Sequence, residues 1–538
     1  MAASKRTVCR SLLLSSTFAI AGIPGLSQSK MNYYTAPVNH PSINVSSPYV
    51  SLEGNSMLFL SDNTEDNALT IFWTTKSDGV NWKQPVALPK TLNGKLNFLS
   101  GFALSADGRQ AYVSTTKGGG LGGYDIYMAE LKGTYWGEPT NVGQPVNSKE
   151  NEACPSVTTE NTTMYFMRCT KMDASKASGC RILVSTRRTP ADRWQPPTEL
   201  PANINTGNSQ APRIMGDGES LIFSSDQMGG KGGMDLFITK KTGTTWSKPV
   251  PLDFINTERD DQFVSANSLG RYLVTAMPTK TATQLVDVLF SPDIKPKAVM
   301  KVEGRVQGPA NPASPYVNLM DKRTQQRLLT VRPTKEGTFV LYLVEGNVYN
   351  VVVDPEEDNY TFFSHEYDLT GEKISTLERL SVSLKPVSAG DVIDLAGVAF
   401  KPYSSDLDES SKTELRKVAR VINGSPSLKF NIEVDLYGYQ KDSLQSNPDL
   451  TEMITDTLHF AVTKTLTDST GAVSTATTDS VAVRHTYHND RTQHQALEVV
   501  NYLIDQGVPA NRVMPASKLF DAVPEERKTV VKLIARQQ

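Results

Sequence analysis

Three of the chain's six histidines, His485, His488 and His494, crowd into one short stretch with Asp490 among them. Imidazole and carboxylate together suit zinc. No cysteine pair or His-Glu-x-x-His spacing joins them, so polar packing at a helix start is the competing reading and no metal is expected. Asp125 and Asp235 each close a glycine-rich loop, Gly118 to Gly123 and Gly229 to Gly233. They are ligand-binding or metal-binding carboxylates, or they cap the loop by accepting bonds from its backbone N–H groups. These loops feed strands and not helix N-termini, so a phosphate cradle, and any cofactor that would need one, is not expected. His40 is the only histidine between residues 31 and 295, and no Gly-x-Ser-x-Gly elbow occurs, which removes the nucleophile and base of a serine hydrolase. No catalytic residue is assigned and the chain is expected not to be an enzyme. A carboxylate-pair glycosidase needs no local motif and stays open as an alternative.

The four cysteines bear on compartment. Lys5, Arg6 and Arg10, then the apolar run Leu12 to Ile23, Pro24 and the small residues Gly25 and Ser27 read as a secretory leader over residues 1–27. Cys9 precedes the apolar run, so no lipid anchor is expected. Export leaves Cys154, Cys169 and Cys180. Cys169 ends one apolar run and Cys180 opens another, which places them on adjacent strands. A Cys169–Cys180 disulfide would contribute roughly 2–3 kcal/mol in the chain-entropy picture, the alternative being three free thiols. With 55 Lys and Arg against 57 Asp and Glu, the net charge of −2 creates no field that draws nucleic acid. No transmembrane segment is expected, because no other run approaches the roughly 20 apolar residues of a spanning helix.

The elements around these residues repeat. Trp82, Trp136, Trp194 and Trp246 each stand three residues before a proline, Pro85, Pro139, Pro197 and Pro249. Ahead of each lies a strand, a small-residue turn, a second strand, a loop and a third strand. Asp107-Gly108 precedes Ala111 to Ser114, and Asp217-Gly218 precedes Leu221 to Ser224; Asp-Gly suits tight hairpins because both residues tolerate positive φ. A unit of about 50 residues forming one small sheet cannot bury its faces alone, which predicts propeller blades. A fifth copy starts at Gln262 and stops after Phe290. Its missing strand is expected from Tyr34 to Pro37, closing a five-bladed ring and removing an exposed edge; six blades is the alternative count. The repeats resemble the WD-repeat-like propellers of the TolB and PorE families, through the Ser-x-Asp-Gly turn and Gly-Gly-x-Gly-Gly-x-Asp-Ile-Tyr. That resemblance covers about residues 31–295, and the propeller is expected over residues 28–295.

Residues 296–385 lose tryptophan and show alternating strands around Val302 to Val306, Val317 to Leu319 and Phe339 to Leu343, a sandwich pattern. Glu336 to Phe339, Gly346 and Tyr349 to Val353 resemble the carboxypeptidase regulatory-like domain, which implies a spacer or binding platform without catalytic residues. From 386 to 538 the pattern turns α/β. Strands are expected at Leu395–Phe400, Phe430–Tyr437 and Val530–Ile534. Leu407, Leu415, Val418 and Ile422 mark one helix, and Ala496, Val499, Val500 and Leu503 a second ending at Gly507. The second helix, from Gln495 through Tyr502 to Val508, resembles the OmpA-like peptidoglycan-binding domain.

That family holds diaminopimelate with one Asp and one Arg, opposite charges that match a zwitterion. The resemblance maps the carboxylate to Asp442, one residue late in the loop after Gly438. Gln495 stands where the family has its Arg, and Arg491, four residues earlier on the same face, is the substitute clamp. Residues 443–487 are an insertion whose Thr/Ser/Val alternation suggests a hairpin.

The fold expected is therefore multidomain and mainly β: a five-bladed β-propeller, a β-sandwich and a C-terminal α/β OmpA-like domain. The domain order resembles PorE-type components of type IX secretion and gliding machinery, although the helical-repeat domain and lipid anchor of PorE relatives are not read here. It implies a non-catalytic envelope scaffold or adaptor, periplasmic and associated with the outer membrane or cell wall. The partners implied are peptidoglycan and envelope or secretion-machinery proteins, with no nucleic acid. The alternative is a glycan or small-ligand binder using the propeller channel.

Overall fold

The computed structural model describes residues 31–62, 68–94, 96–173, 176–307, 315–324, 326–355, 357–371, 374–402, 404–439, 452–488, 490–521 and 528–537. The leader read over residues 1–27, with Cys9, lies outside them, and so does Asp442. Among the described residues no helix is long and apolar enough to cross a membrane.

The N-terminal half consists of five antiparallel sheets of four or five strands. The first strand of each is Val45–Val50, Phe102–Leu104, Asn151–Val157, Ser209–Ile214 or Ser265–Ala266. In the first four sheets the outermost strand begins on the residue after a repeat proline: Val86–Ala87, Thr140–Asn141, Thr198–Glu199 and Val250–Pro251. The fifth is completed from the other end of this half, where Met31–Tyr33 pairs antiparallel with Thr283–Leu289. The closing strand thus lies just ahead of the expected Tyr34–Pro37. Tyr34 and Asn39 instead fasten that segment, through Tyr34 N to Leu285 O at 3.1 Å and Asn39 Nδ2 to Leu285 O at 2.8 Å.

Each sheet hides its faces against its neighbours, which is the propeller principle in energetic terms. Leu58 and Leu60 of the first sheet share a buried cluster with Phe102 and Val113 of the second. Tyr112 and Ile126 meet Met164 and Phe166 of the third, and Tyr165 and Ile182 meet Leu221 and Phe223 of the fourth. Ile222 and Leu236 meet Leu273 and Val286 of the fifth, whose Val274 and Leu285 pack on Met57 and Phe59 of the first. Every seam is apolar, and the last returns to the start.

Each sheet has one left-handed residue within or just ahead of its first strand: Ser47, Gly101, Cys154, Ala211 and Phe263, with φ of 49°, 65°, 52°, 46° and 59°. Strand pairing skips there, between Ser46 and Tyr49, Ala153 and Ser156, and Gln210 and Arg213, as in a β-bulge. Adjacent kinks press together. A Cβ on Gly101 would sit 2.6 Å from Cys154 Cα, so only glycine fits. Leu99, Cys154 and Ala211, with Phe263 against them, form one buried cluster with Cys169 and Cys180. Cys169 and Cys180 face each other in register on adjacent strands and form the expected disulfide, Cα to Cα 4.0 Å.

Two sheets follow. Val299–Gln307 pairs with Thr338–Val344 and Leu377–Ser383, while Tyr316–Asp321 and Val348–Asp354 lie inside the other sheet. Val302, Leu341, Val317 and Val351 join them in a common core. Lys301 reaches back to Glu53, and Lys297 N donates to Asp217 Oδ2 at 3.0 Å, which seats this unit on the turns of the sheet ring.

The C-terminal unit is a mixed sheet in the order Val392–Asp394, Lys528–Gln537, Leu428–Tyr437, Val513–Phe520, with helices α1 (Ser411–Gly424) and α2 (Thr492–Asp505) packed on it. The buried stripes Leu415, Val418, Ile422 and Ala496, Val499, Val500, Leu503 are those read from helical spacing. The first strand is not Leu395–Phe400. It runs Val392–Asp394, after which the chain turns at Gly397, whose N–H donates to Glu414 Oε2 at 3.0 Å. Leu407 is buried but precedes α1. Within the insertion, Glu452–Thr467 and Val473–His488 form the expected hairpin as a sheet of their own.

Candidate functional site

The start of α2 decides where two of the three sequence-predicted wall-binding residues sit. Thr492 N donates to Asp490 Oδ1 at 2.8 Å, which holds the helix entry. One turn on, Gln495 N donates to Arg491 O at 2.9 Å, so the two side chains start from the same face. Both line one cleft of about 1060 Å³. Gln495 is buried and Arg491 half-buried. Of the three candidates the structure brings Arg491 and Gln495 together, while Asp442 lies outside the described residues.

The cleft runs between the second sheet of the middle unit and the C-terminal sheet. Its lining mixes charges: Lys385 and Asp391 form an ion pair at 2.5 Å, Asp394 stands exposed beside them, and Phe400 adds an aromatic surface. A cavity of this size lined by both carboxylates and a guanidinium suits a ligand that carries both an amine and a carboxylate.

Behind the wall, Glu414 of α1 ties the two units. Its Oε2 accepts from Ser364 Oγ at 2.8 Å and from the Gly397 N–H, with Asn350 Nδ2 at 3.4 Å, while Oε1 is buried without a partner among the described residues. Burial pushes its carboxyl above the ordinary range against the lowering effect of these bonds and of Lys417. Asp354 takes an ion pair from Arg420 at 2.5 Å and one from Lys417 at 3.8 Å across the same boundary.

Other chemistry-bearing residues resolve into structure. Asp125 Oδ2 accepts from Leu121 N at 2.5 Å, and Asp235 accepts from Lys231 N and Gly232 N, each at 3.1 Å. These aspartates cap their glycine loops. His485 pairs with Thr455 on the hairpin at 3.0 Å and His494 is exposed on α2. Among the described residues no three of His, Cys, Asp and Glu gather to hold a metal.

Sequence reasoning missed five asparagines. Asn93, Asn147, Asn205, Asn256 and Asn39 each accept from and donate to the backbone of one strand residue, Ile71, Ile126, Ile182, Leu236 and Leu285 respectively. The amide substitutes for a missing strand partner in every sheet. A loop asparagine following each repeat proline was the available signal.

No protein-family model matches the chain, and no curated protein matches it. Solved structures do align. TolB from Agrobacterium tumefaciens is 13% identical over 56% of this chain and 90% of that one, with a TM-score of 0.28. The endo-arabinase from Bacteroides thetaiotaomicron is 14% identical over 48% and 98%, with a TM-score of 0.34. Oligogalacturonate lyase from Vibrio parahaemolyticus is 10% identical over 50% and 99%, with a TM-score of 0.28. At these scores the alignments carry no argument about activity, and the propeller is read from the sheets and their seams.

Proposed function

We propose that the chain is a non-catalytic scaffold or adaptor of a bacterial cell envelope, exported to the periplasm and associated with the outer membrane or cell wall. In this reading the five N-terminal sheets are five blades of a propeller, residues 28–295, that binds partner proteins of the envelope or a secretion machine of type IX kind. A sandwich, residues 296–385, spaces it from an OmpA-like domain, residues 386–538, that faces peptidoglycan.

The observation that carries the wall contact is the mixed-charge cleft holding Arg491 and Gln495, because the free end of a diaminopimelate stem is a zwitterion. Asp442 is the carboxylate that would meet the amine. The cavity lined by all five sheets is only about 40 Å³, which supports a scaffold over a glycan-processing enzyme, since ligand sites are clefts of several hundred Å³.

Pelleting with purified sacculi tests the reading. The wild-type chain is expected to co-sediment. Losing a charge-assisted pair in Arg491→Ala or Asp442→Ala is expected to weaken binding about 10-fold or more. Wild-type protein that stays in the supernatant overturns the wall contact, and released muropeptides overturn the non-catalytic assignment.

A further inference from the structure

We propose that the ring axis carries a binding site for one small carboxylate, of acetate's size, built on Arg213 and Thr158. The site uses other residues than the cleft and does not rest on the cell-wall reading.

Beyond the level of the five kinks, the first strands of all five sheets enclose a second cavity, of about 40 Å³. Its lining comes from each sheet in turn, including Tyr49, Leu104, Thr158, Arg213 and Ser265. Arg213 Nε donates to Val264 O at 3.1 Å, and the guanidinium lies over the Tyr49 ring, 4.1 Å from its centroid. Tyr49 is itself held by its hydroxyl, which donates to Leu104 O at 2.6 Å. Arg213 Nη1 is buried with no protein partner among the described residues, and so is the hydroxyl of Thr158, a residue 8% exposed. Two orphaned donors therefore belong to the wall of one cavity.

The charge is the stronger argument. No carboxylate lines the cavity, and Arg213 makes no ion pair among the described residues. The two titratable groups that act directly on the guanidinium, Tyr49 and Cys154, are neutral. Burial pushes the Cys154 thiol up to about 12 and raises the Tyr49 phenol. Burial pulls the Arg213 guanidinium down, yet arginine stays protonated across the physiological range. Arg213 is half-buried with its Nη1 sealed from water, and such a cation with no counter-charge is costly to a fold, a cost that a bound anion removes.

Size selects the anion. A water needs roughly 10–15 Å³ measured in this way, so the cavity holds about three water-sized groups, the bulk of a carboxylate with a short stem. The turns that rim the mouth carry Glu53, Asp107 and Glu160. Glu53 is paired with Lys301, Asp107 accepts from the Ser105 hydroxyl and the Arg109 backbone N–H, and Glu160 accepts from the Thr159 hydroxyl at 2.8 Å. Tyr342 of the middle unit lies close enough to feel all three. The site therefore sits at the joint between the sheet ring and the unit seated on it.

The test is thermal unfolding of the exported chain, residues 28–538, in a bulky sulfonate buffer at constant ionic strength, with sodium acetate raised from 1 to 100 mM. Wild-type protein is expected to gain about 2–4 °C, as linkage predicts for a site that fills over this range. Arg213→Met is expected to be flat against acetate and at least as stable as wild type without it, and Thr158→Val to respond less than wild type. An equal acetate response in Arg213→Met overturns the site. So does a destabilised Arg213→Met beside an unresponsive wild type, which would make the arginine a purely structural clamp. A response to inorganic phosphate with none to acetate overturns the carboxylate assignment. Should the variant not fold, calorimetric titration of wild type with acetate decides: one saturable site per chain supports the proposal, and no saturable heat sinks it.

Discussion

Ser364 Oγ donates to Glu414 Oε2 at 2.8 Å, linking a strand of the middle unit to α1 of the C-terminal one through a carboxylate sealed from water. Burial raises the Glu414 pKa above its ordinary 4.5. A carboxyl raised on folding favours the native state while it is protonated. That contribution is full below pH 4.5 and is lost as pH rises through the folded-state value. Glu414→Gln is therefore expected to melt like wild type at pH 4 and above it at pH 7.5, with a flatter pH profile by calorimetry. A variant that is less stable at pH 7.5 would show that the ionised form is the one the boundary needs.

Asn147 is the most sealed of the repeated asparagines, 1% exposed, with bonds of 2.9 Å both to and from the Ile126 backbone. Asn147→Ala leaves the Ile126 N–H buried without a partner, while its C=O keeps the bond from Val142 N at 3.1 Å, a loss of about 1–3 kcal/mol. Chemical denaturation should report it as a lower midpoint with an unchanged slope.

The Cys169–Cys180 bridge closes a separation of 11 residues. Replacing both by alanine is expected to cost about 2–3 kcal/mol. Cys154 is buried and its thiol is pushed up to about 12, so a thiol reagent should label the native 28–538 chain at no site and the unfolded chain at one. Rapid labelling of native protein would show that the axial cluster opens easily.

The hairpin Glu452–Thr467 and Val473–His488 pairs only with itself in the sheet order and gives no residue to the buried clusters. Replacing residues 452–488 by a short Gly-Ser linker is expected to move the melting temperature by no more than about 2 °C, within the range of changes that leave buried features alone. A larger drop would mean that the ribbon braces the C-terminal sheet.

What could be read beforehand divides along physical lines. Trp-x-x-Pro and Asp-Gly are local devices, so they announced the repeated sheets. The kinks at Ser47, Cys154 and Ala211 were harder to see, because a following proline normally argues against a strand. Val513–Phe520 went unread because Pro515 and Lys518 break its alternation, yet it pairs in parallel with Phe430–Tyr437. Leu395–Phe400 looked like a strand by apolarity alone, and only the buried carboxylate of Glu414 shows why the chain turns there. The helix that carries Gln495 was legible through its resemblance to a family motif. Arg213 gave no sign at all, since a lone arginine in a strand acquires meaning only when four other sheets close around it.

Asn39 and Leu285 are 246 positions apart, yet their contact belongs to the step that shuts the circle. The segment around Asn39 must therefore wait, unsheltered, until the fifth repeat has been made. Assembly is thus ruled by its slowest and most distant encounter. A chaperone that guards the leading end, or a chain cut short before Leu289, would decide whether the whole circle forms or none of it does.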